Sequence, residues 1–524
     1  MSMQQTQPEL DHQRCLDALE IAIRICKDQI NAYTVRALKL TCKGLKHLAD
    51  DVFLTSLSVS ECFRDFERIP PDFEILTPAL LKHVRDISID LNWKKDAATI
   101  QNYVAGTRRI LDLTSHKLRN LRINRGPVPV VAELIKGNVT WPNLQNLSLH
   151  TRGIARVKEE LYSMRQLRSL LLNYLDSNKH DRKTLLSAPF LSNLTKLELF
   201  TSSSQNLTPL YMSKLFLRTK QLETLKIFGN LDFDYFGGIL LEKLRDLDLH
   251  CLGTIDLAPL LAQPRPNLQS LMLIYDFLFN EELHDLIDSA KEVFPNLTCL
   301  LLCQSSSNYD EDQDWSCLER IDLPNLTELY LSIGFREIVG IVQPTAKLPK
   351  LRSLSVGIGF PVGHPRDWEE NAEQIFSSPL LHQLEKLIIH NSYFRLGSLA
   401  ILCKYATQLK MLETLEVHCY DMAGVRMIAD AGELGGFPNL KTIVFYDMDP
   451  GFDVRIDWVN GEQYFYPMEW FLRPVWPNIK YFCWSGSEDE MEKYGQPNEF
   501  AEVDEIEGLQ ELHIAEVDND ENGA

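Results

Sequence analysis

The chain of 524 residues has 45% hydrophobic and 24% charged residues, an ordinary globular composition that excludes a largely disordered or collagen-like protein. Its 53 Lys and Arg against 73 Asp and Glu give a formal net charge of −20. An acidic chain is a poor general binder of nucleic acid, because contacts to phosphate need basic side chains.

The lack of targeting signals and the spacing of the cysteines indicate in which compartment the protein is found. No span reaches the roughly 18 uninterrupted apolar residues of a membrane helix, and the polar N-terminus lacks the layout of a signal peptide. The 11 cysteines contain no Cys-x-x-Cys pair, which indicates reduced thiols rather than a disulfide scaffold or a zinc module. We expect a cytoplasmic or nuclear protein without a membrane or nucleic-acid partner.

Two amphipathic helices are predicted after a polar tail of residues 1–14. Apolar residues recur at steps of three and four, at Leu16, Leu19, Ile23, Cys26 and Ile30, and again at Val35, Leu38, Cys42, Leu45 and Ala49. We expect them to form a helical module over residues 15–60. One interpretation of this module is a cap that covers the open end of a repeat array.

The second helix also supports a functional interpretation. The string from Arg36 to Asp51, followed by Val52 to Val59, resembles the second half of an F-box. The usual Leu-Pro-x-Glu-Leu opening is absent, and Pro8-Glu9-Leu10 is its nearest fragment. The resemblance implies that the helices bind a Skp-type adaptor, which joins a cullin-RING ubiquitin ligase. The implied adaptor-binding residues are Val35, Leu38, Cys42, Leu45 and Leu48.

A ladder of apolar residues organises residues 61–486 and continues beyond them. Each copy has an apolar residue, two variable residues, an apolar residue, one variable residue and an apolar residue, as in Leu144-Leu147-Leu149. Sixteen copies begin between Val84 and Leu509, with a mean period of about 28 residues. The last two apolar residues of a copy point to one side of a short strand, and stacked units bury a continuous core.

This pattern resembles the leucine-rich-repeat family from residue 84 to about residue 514. The resemblance implies an α/β solenoid, a curved horseshoe of about 16 repeats. Two departures stand out: the Asn or Cys expected after each ladder is mostly absent, and the repeats vary from about 22 to 39 residues. Trp-Pro-Asn or Phe-Pro-Asn often precedes the first leucine, and helical patterns lie between ladders, at 280–293 and 395–408.

The variable residues of each ladder are predicted to face the concave side, where such solenoids bind partners. The candidate substrate-binding residues are Asp246, Asp248, His250, Glu328, Tyr330, Lys386, His390, Thr414, Glu416, His418 and Tyr446. His390 and His418 belong to consecutive copies, so they are expected about 5 Å apart. Two interpretations are open: the two histidines act as a pH-sensitive or metal-binding pair, or they are exposed polar residues without a specific role. Because two histidines alone lack the third or fourth ligand of a metal site, we predict no metal site.

The C-terminal segment is strongly acidic. Residues 487–524 hold fourteen acidic residues against one lysine, and we expect an acidic capping repeat followed by a short tail. No catalytic constellation or cofactor motif is found, so we predict a non-enzyme without a cofactor. Two hypotheses remain: a substrate receptor of an SCF-type ligase that binds an unknown protein, and an interaction scaffold without a ligase link.

Overall fold

The structure is a computed structural model that divides into two compact units, one before and one after the boundary at Leu384. The structure describes residues 56–58, 81, 84–90, 97–124, 128–136, 140–150, 154–173, 179–201, 209–229, 241–304, 314–332, 335–356, 365–389, 396–418, 422–446, 454–459, 462–467, 472, 475–476 and 479–484.

The first unit is a parallel sheet whose strands pair in chain order. Its strands are β1 (Ser56–Ser58), β2 (Asp86–Asp90), β3 (Asn120–Asn124), β4 (Asn146–His150), β5 (Ser169–Asn173), β6 (Lys196–Phe200), β7 (Thr224–Gly229), β8 (Asp246–Ile255), β9 (Ser270–Leu278), β10 (Cys299–Gln304), β11 (Glu328–Leu331) and β12 (Ser353–Val356).

Helical segments connect these strands. The α-helices are α1 (Ala97–Thr114), α2 (Val128–Ile135), α3 (Lys158–Ser163), α4 (Lys179–Leu186), α5 (Pro209–Arg218), α6 (Ala258–Leu261), α7 (Asn280–Val293), α8 (Phe335–Ile341) and α9 (Pro365–Phe376). Short 3₁₀ turns lie at Ile154–Val157, Pro189–Asn193, Ser316–Arg320 and Leu381–Gln383. In α7 the side chains of Leu283, Leu286 and Ile287 are buried, as the helical pattern at 280–293 predicts. No helix among the described residues has both the length and the apolar run that crossing a bilayer requires.

The predicted ladder coincides with these strands. In the copy Leu144-Leu147-Leu149 the first leucine lies on the turn before β4 and the other two lie within it, and all three are at most 2% exposed. The copies from Val84 to Leu351 correspond in the same way to β2 through β12. The mixed α/β repeat architecture is therefore confirmed. The copy at Leu509 lies outside the described residues, so the number of repeats stays a prediction.

From β3 to β12, each repeat of the first unit joins its predecessor by the same backbone contact. The N–H groups of Gln145 and Asn146 both donate to the carbonyl of Arg119, at 2.8 and 2.9 Å. One repeat later, Arg168 and Ser169 donate together to Gln145 at the same two distances. The contact recurs at the start of the following strands up to β12. It satisfies the backbone donors at the strand entrance and aligns each strand with the previous one.

The turn before each strand contributes a buried side chain that the ladder alone does not reveal. The N–H of Leu144 donates to the carbonyl of Trp141, and that of Leu297 donates to the carbonyl of Phe294. Both aromatic side chains are 0% exposed. The aromatic residue of the Trp-Pro-Asn and Phe-Pro-Asn runs therefore belongs to the core. Arg265 takes this position in one repeat, where its Nε donates to the carbonyl of Leu260 at 3.2 Å.

An asparagine just before the first leucine connects neighbouring repeats. Nδ2 of Asn143 donates to the carbonyl of His116 at 2.6 Å, Asn296 to Pro266 at 2.8 Å and Asn325 to Pro295 at 2.9 Å. Each bond satisfies a carbonyl in the preceding repeat. This asparagine lies at the turn into the strand, whereas the one expected from the family pattern lies after the ladder.

The second unit has its own parallel strands, β13 (Lys386–Ile389), β14 (Thr414–His418) and β15 (Thr442–Tyr446). The chain then forms an antiparallel hairpin, β16 (Val454–Val459) and β17 (Glu462–Pro467), before β18 (Lys480–Trp484) pairs in parallel with β15. Its helices are α10 (Leu396–Lys404) and α11 (Met422–Glu433). The hairpin interrupts the regular alternation that the repeat pattern predicts.

Candidate functional site

The sheet of the first unit presents alternating residues to opposite sides. In β5 the side chains of Leu170 and Leu172 are buried, whereas those of Ser169, Leu171 and Asn173 are only half-buried. The side with the first, third and fifth strand residues is called the solvent face below. Because all the strands are parallel and in register, equivalent residues form rows across the repeats, about 4.8 Å apart.

Five of the predicted substrate-binding residues lie on the solvent face of the first unit. Asp246, Asp248 and His250 alternate along β8, and Glu328 and Tyr330 do so along β11. The register aligns Asp246 with Ser270, Cys299 and Glu328 in turn, so the two carboxylates are three strands and roughly 14 Å apart. The predicted residues form two clusters in the same rows.

Asp248 is the centre of the first cluster. Asp248 is only 5% exposed. Its Oδ2 lies 2.9 Å from Lys226 Nζ, and its Oδ1 lies 3.1 Å from His250 Nε2. Burial alone raises the pKa of Asp248, but the hydrogen bonds from His250 and Lys226 outweigh burial and hold the pKa below its ordinary value. The pKa of Lys226 is lowered by burial and raised more strongly by Asp248. Asp248 and Lys226 therefore each stabilise the charged form of the other.

Asp248→Asn is expected to lower the free energy of unfolding by about 1.5–3 kcal/mol at pH 7, because charge-assisted hydrogen bonds are lost. A carboxyl with a lowered pKa in the folded state contributes stability above its unfolded pKa and loses it as the pH falls through the folded pKa. The difference from the wild type should therefore persist down to about pH 4 and vanish below it. Urea unfolding across this pH range measures it.

Asp246→Asn is the matched control for that substitution. Asp246 lies two residues earlier on the same strand, is half-buried, and accepts a hydrogen bond from Thr224 Oγ1 at 2.9 Å. We expect a change within about 0.5 kcal/mol at every pH. Equal effects of the two substitutions would contradict a special role for the network around Asp248.

The predicted residue His250 also belongs to an aromatic stack with Phe200 and Phe228, two residues that were not predicted from the sequence. The ring centroids of Phe200 and Phe228 are 4.2 Å apart, and those of Phe228 and His250 are 3.6 Å apart. The three rings occupy the fifth strand position in β6, β7 and β8. The sequence could have indicated this stack, because the fifth strand position directly follows the last ladder residue, and aromatic rings or histidine recur there.

The second cluster pairs a tyrosine with a glutamate. Tyr330 donates its hydroxyl to Glu328 Oε2 at 3.1 Å. Burial, followed by the negative charge of Glu328, raises the pKa of Tyr330 to about 12. The phenol therefore stays protonated and acts as a hydrogen-bond donor at physiological pH.

Three predicted residues have described side chains in the second unit. Lys386, Thr414 and Glu416 lie on β13 and β14, with Lys386 opposite Thr414. Lys386 Nζ contacts Glu416 Oε1 at 2.8 Å. His418 and Tyr446 are backbone neighbours of β14 and β15, and only their backbones are described.

Six predicted residues lie outside the described residues. They are His390 and the adaptor-binding residues Val35, Leu38, Cys42, Leu45 and Leu48. The proximity of His390 to His418 and the adaptor-binding surface therefore stay predictions. A strand at Ser56–Ser58 pairs with β2 just before the first predicted ladder. Within the described part of the chain, no three His, Cys, Asp or Glu residues gather in a way that would hold a metal ion.

Comparisons with known proteins give partial likenesses of the backbone. No protein-family profile and no curated protein matches the chain. A protein from Bacteroides fragilis is 14% identical with a TM-score of 0.30, covering 61% of this chain and 74% of its own. The leucine-rich repeat-containing protein LegL7 from Legionella pneumophila is 14% identical with a TM-score of 0.36, covering 64% and 98%. A chain of the Rad7 and Elc1 complex in yeast is 15% identical with a TM-score of 0.38, covering 68% and 84%.

Proposed function

We propose that this chain is the substrate-recognition subunit of an SCF-type cullin-RING ubiquitin ligase. In this proposal the repeats hold a protein substrate, and the N-terminal helices bind a Skp-type adaptor. The chain itself breaks no bond. Its contribution is to hold the substrate near the ubiquitin-conjugating enzyme, which turns a bimolecular encounter into an effectively local one.

The substrate-binding half of the proposal depends on the solvent face of the first unit. There the network of Lys226, His250 and the buried Asp248 fixes the position of ionic side chains, and the stack of Phe200, Phe228 and His250 offers aromatic surface beside them. Aromatic residues held rigidly in a partly desolvated patch are typical of protein-binding surfaces. This juxtaposition is the observation that carries the binding role.

The adaptor-binding half depends on the sequence between Arg36 and Val59. Leu38, Cys42 and Leu45 fall on one side of the predicted helix, as a surface that packs against another helical protein requires. The same spacing also suits a cap on the repeat array, which needs its apolar side buried against the first repeats. Adaptor binding therefore decides between a ligase receptor and an interaction scaffold without a ligase link.

Co-purification of the intact chain with a Skp-type adaptor tests the proposal. We expect a stoichiometric complex that survives gel filtration, and we expect Leu38→Asp/Cys42→Asp to abolish it, because two buried charges at an interface cost several kcal/mol. Lys43→Asp/His47→Asp is the matched control, since helical periodicity places these residues on the opposite side. It should keep the complex.

Circular dichroism must show that all the variants are folded. A folded intact chain that forms no complex with the adaptor would contradict the ligase proposal and leave the scaffold function. A complex that both double variants retain would show that the predicted helix face does not bind the adaptor.

A further inference from the structure

Apolar side chains and the ring of His250 form a continuous band on the solvent face of the first unit. Phe200, Phe228, His250 and Ile274 lie side by side in one row across β6 to β9, and Met272 and Leu301 lie in the neighbouring row on β9 and β10. All six are half-buried rather than buried. These residues are called the apolar band below.

The band does not belong to the core of the repeats. The core is formed on the opposite side of the same strands by residues such as Leu271, Leu273 and Leu300, which are at most 1% exposed. Polar side chains occupy the equivalent positions in other repeats, as Ser148 does in β4 and Asn173 in β5, so the repeat fold does not require apolar residues there. A contiguous apolar patch on a solvent-facing surface is a mark of an interaction site.

Two carboxylates flank the centre of the band. Asp246 lies one strand to one side of Met272, and Glu328 lies one strand to the other side of Leu301. Both carboxylates are in the next row, about 7 Å away along the strands. Among the described residues they accept hydrogen bonds from hydroxyl groups, Thr224 to Asp246 and Tyr330 to Glu328, and neither is in an ion pair with a described lysine or arginine.

The other charges near the band already neutralise one another. Lys226 contacts Asp248 at 2.9 Å, and Lys196 contacts Glu198 at 2.7 Å. The charge left over at this part of the face is therefore negative and comes from Asp246 and Glu328.

We propose that the apolar band binds a protein segment that carries apolar side chains between basic ones. Leu, Met or Phe side chains of the segment cover Met272, Leu301 and the Phe228 ring, and Lys or Arg side chains pair with Asp246 and Glu328. Charge complementarity selects the partner and speeds its association, and apolar burial holds it. The inference rests on the proposed function in one respect, that the repeats bind a protein.

Selection from a phage-displayed library of random dodecapeptides on the full chain tests the proposal. We expect enriched sequences in which Leu, Met or Phe residues are next to Lys or Arg. The affinity of a synthetic peptide of the most enriched sequence is then measured by fluorescence anisotropy. We expect its affinity for Met272→Glu to be at least about tenfold lower than for the wild type. Enrichment of acidic sequences, or no enrichment at all, would overturn the proposal.

Ser148→Glu is the matched control, because Ser148 lies in the same row as Met272 on β4, outside the band. It should change the affinity by less than about twofold. A peptide that binds Met272→Glu and the wild type equally tightly would place its site elsewhere on the chain.

A charge exchange gives a second test that does not depend on how well Met272→Glu folds. Asp246→Lys should weaken binding of the selected peptide about tenfold, and a peptide with its basic residues changed to Glu should regain affinity for this variant. Binding of the original peptide should also weaken with added salt. Failure of the exchange, in a chain that still co-purifies with the adaptor, would overturn this inference and leave the proposed function standing.

Discussion

Phe294→Ala is expected to lower the free energy of unfolding by about 3–5 kcal/mol, the range for removing a fully buried phenylalanine. Phe294 follows helix α7, is 0% exposed, and occupies the buried position of the turn before β10. Its N–H donates to Ala290 at 2.8 Å, and its carbonyl accepts from Leu297 at 3.1 Å. The substitution leaves these backbone bonds possible but opens a cavity where a helix, a turn and a strand meet.

Urea unfolding followed by tryptophan fluorescence measures this loss. Phe279→Ala is the matched control, because it makes the same chemical change at the other end of α7, where the side chain is 61% exposed. The N–H of Phe279 donates to Glu282 at 2.9 Å, and that bond does not depend on the side chain. We expect Phe279→Ala to change stability by about 0.5 kcal/mol at most. Similar losses for the two variants would contradict the core role of the turn residue.

Gly229→Ala is expected to destabilise the first unit by about 2–6 kcal/mol, from backbone strain and steric overlap together. Gly229 ends β7 with φ of 139°, a conformation that residues with a Cβ avoid. An added Cβ would overlap Thr201 Oγ1 and come within 3.0 Å of Thr201 Cβ. Thr201 cannot easily withdraw, because its N–H and its hydroxyl both donate to the carbonyl of Phe228, at 2.8 and 3.1 Å.

A double-mutant cycle with Thr201→Gly separates the two causes. Removing the threonine side chain takes away the overlap but not the positive φ, so the double variant should be more stable than the sum of the single effects, by about 1–3 kcal/mol. Thermal unfolding of the four chains measures this coupling. If the two single effects on stability simply added, the overlap between the Cβ introduced at position 229 and the Thr201 side chain would contribute nothing to the loss of stability. Because Phe228 precedes Gly229, the strained variant should also weaken binding at the apolar band.

The strands and their two sides could be predicted from the sequence because side-chain direction alternates strictly along a strand. The ladder Leu244-Leu247-Leu249 therefore locates the core of its repeat and places Asp246, Asp248 and His250 on the solvent face. The same rule located Glu328 and Tyr330. Each of these assignments needs only a few consecutive residues.

Apart from the expected proximity of His390 and His418, contacts between repeats were not predicted, because they require neighbouring repeats to be aligned residue by residue. Lys226 and Asp248 face each other only when two repeats of unequal length are aligned strand by strand. The stack of Phe200 and Phe228 depends on the same alignment. The positions of the carboxylates of Asp246 and Glu328 on either side of the apolar band depend on it too. The hairpin of β16 and β17 was missed because it replaces a repeat segment without disturbing the ladders on either side.

At the strand entrances two successive N–H groups donate to one carbonyl of the preceding repeat, which makes the alignment of neighbouring strands independent of repeat length. Asp86 and Asn120 are 34 residues apart, whereas Thr224 and Asp246 are 22 apart, yet both pairs are direct neighbours across adjacent strands. The difference in repeat length therefore lies in the segments that return the chain from one strand to the next. The row of a residue on the solvent face therefore depends on its strand and its offset from the turn, so its neighbours on adjacent strands can be identified from these two numbers even where repeat lengths differ.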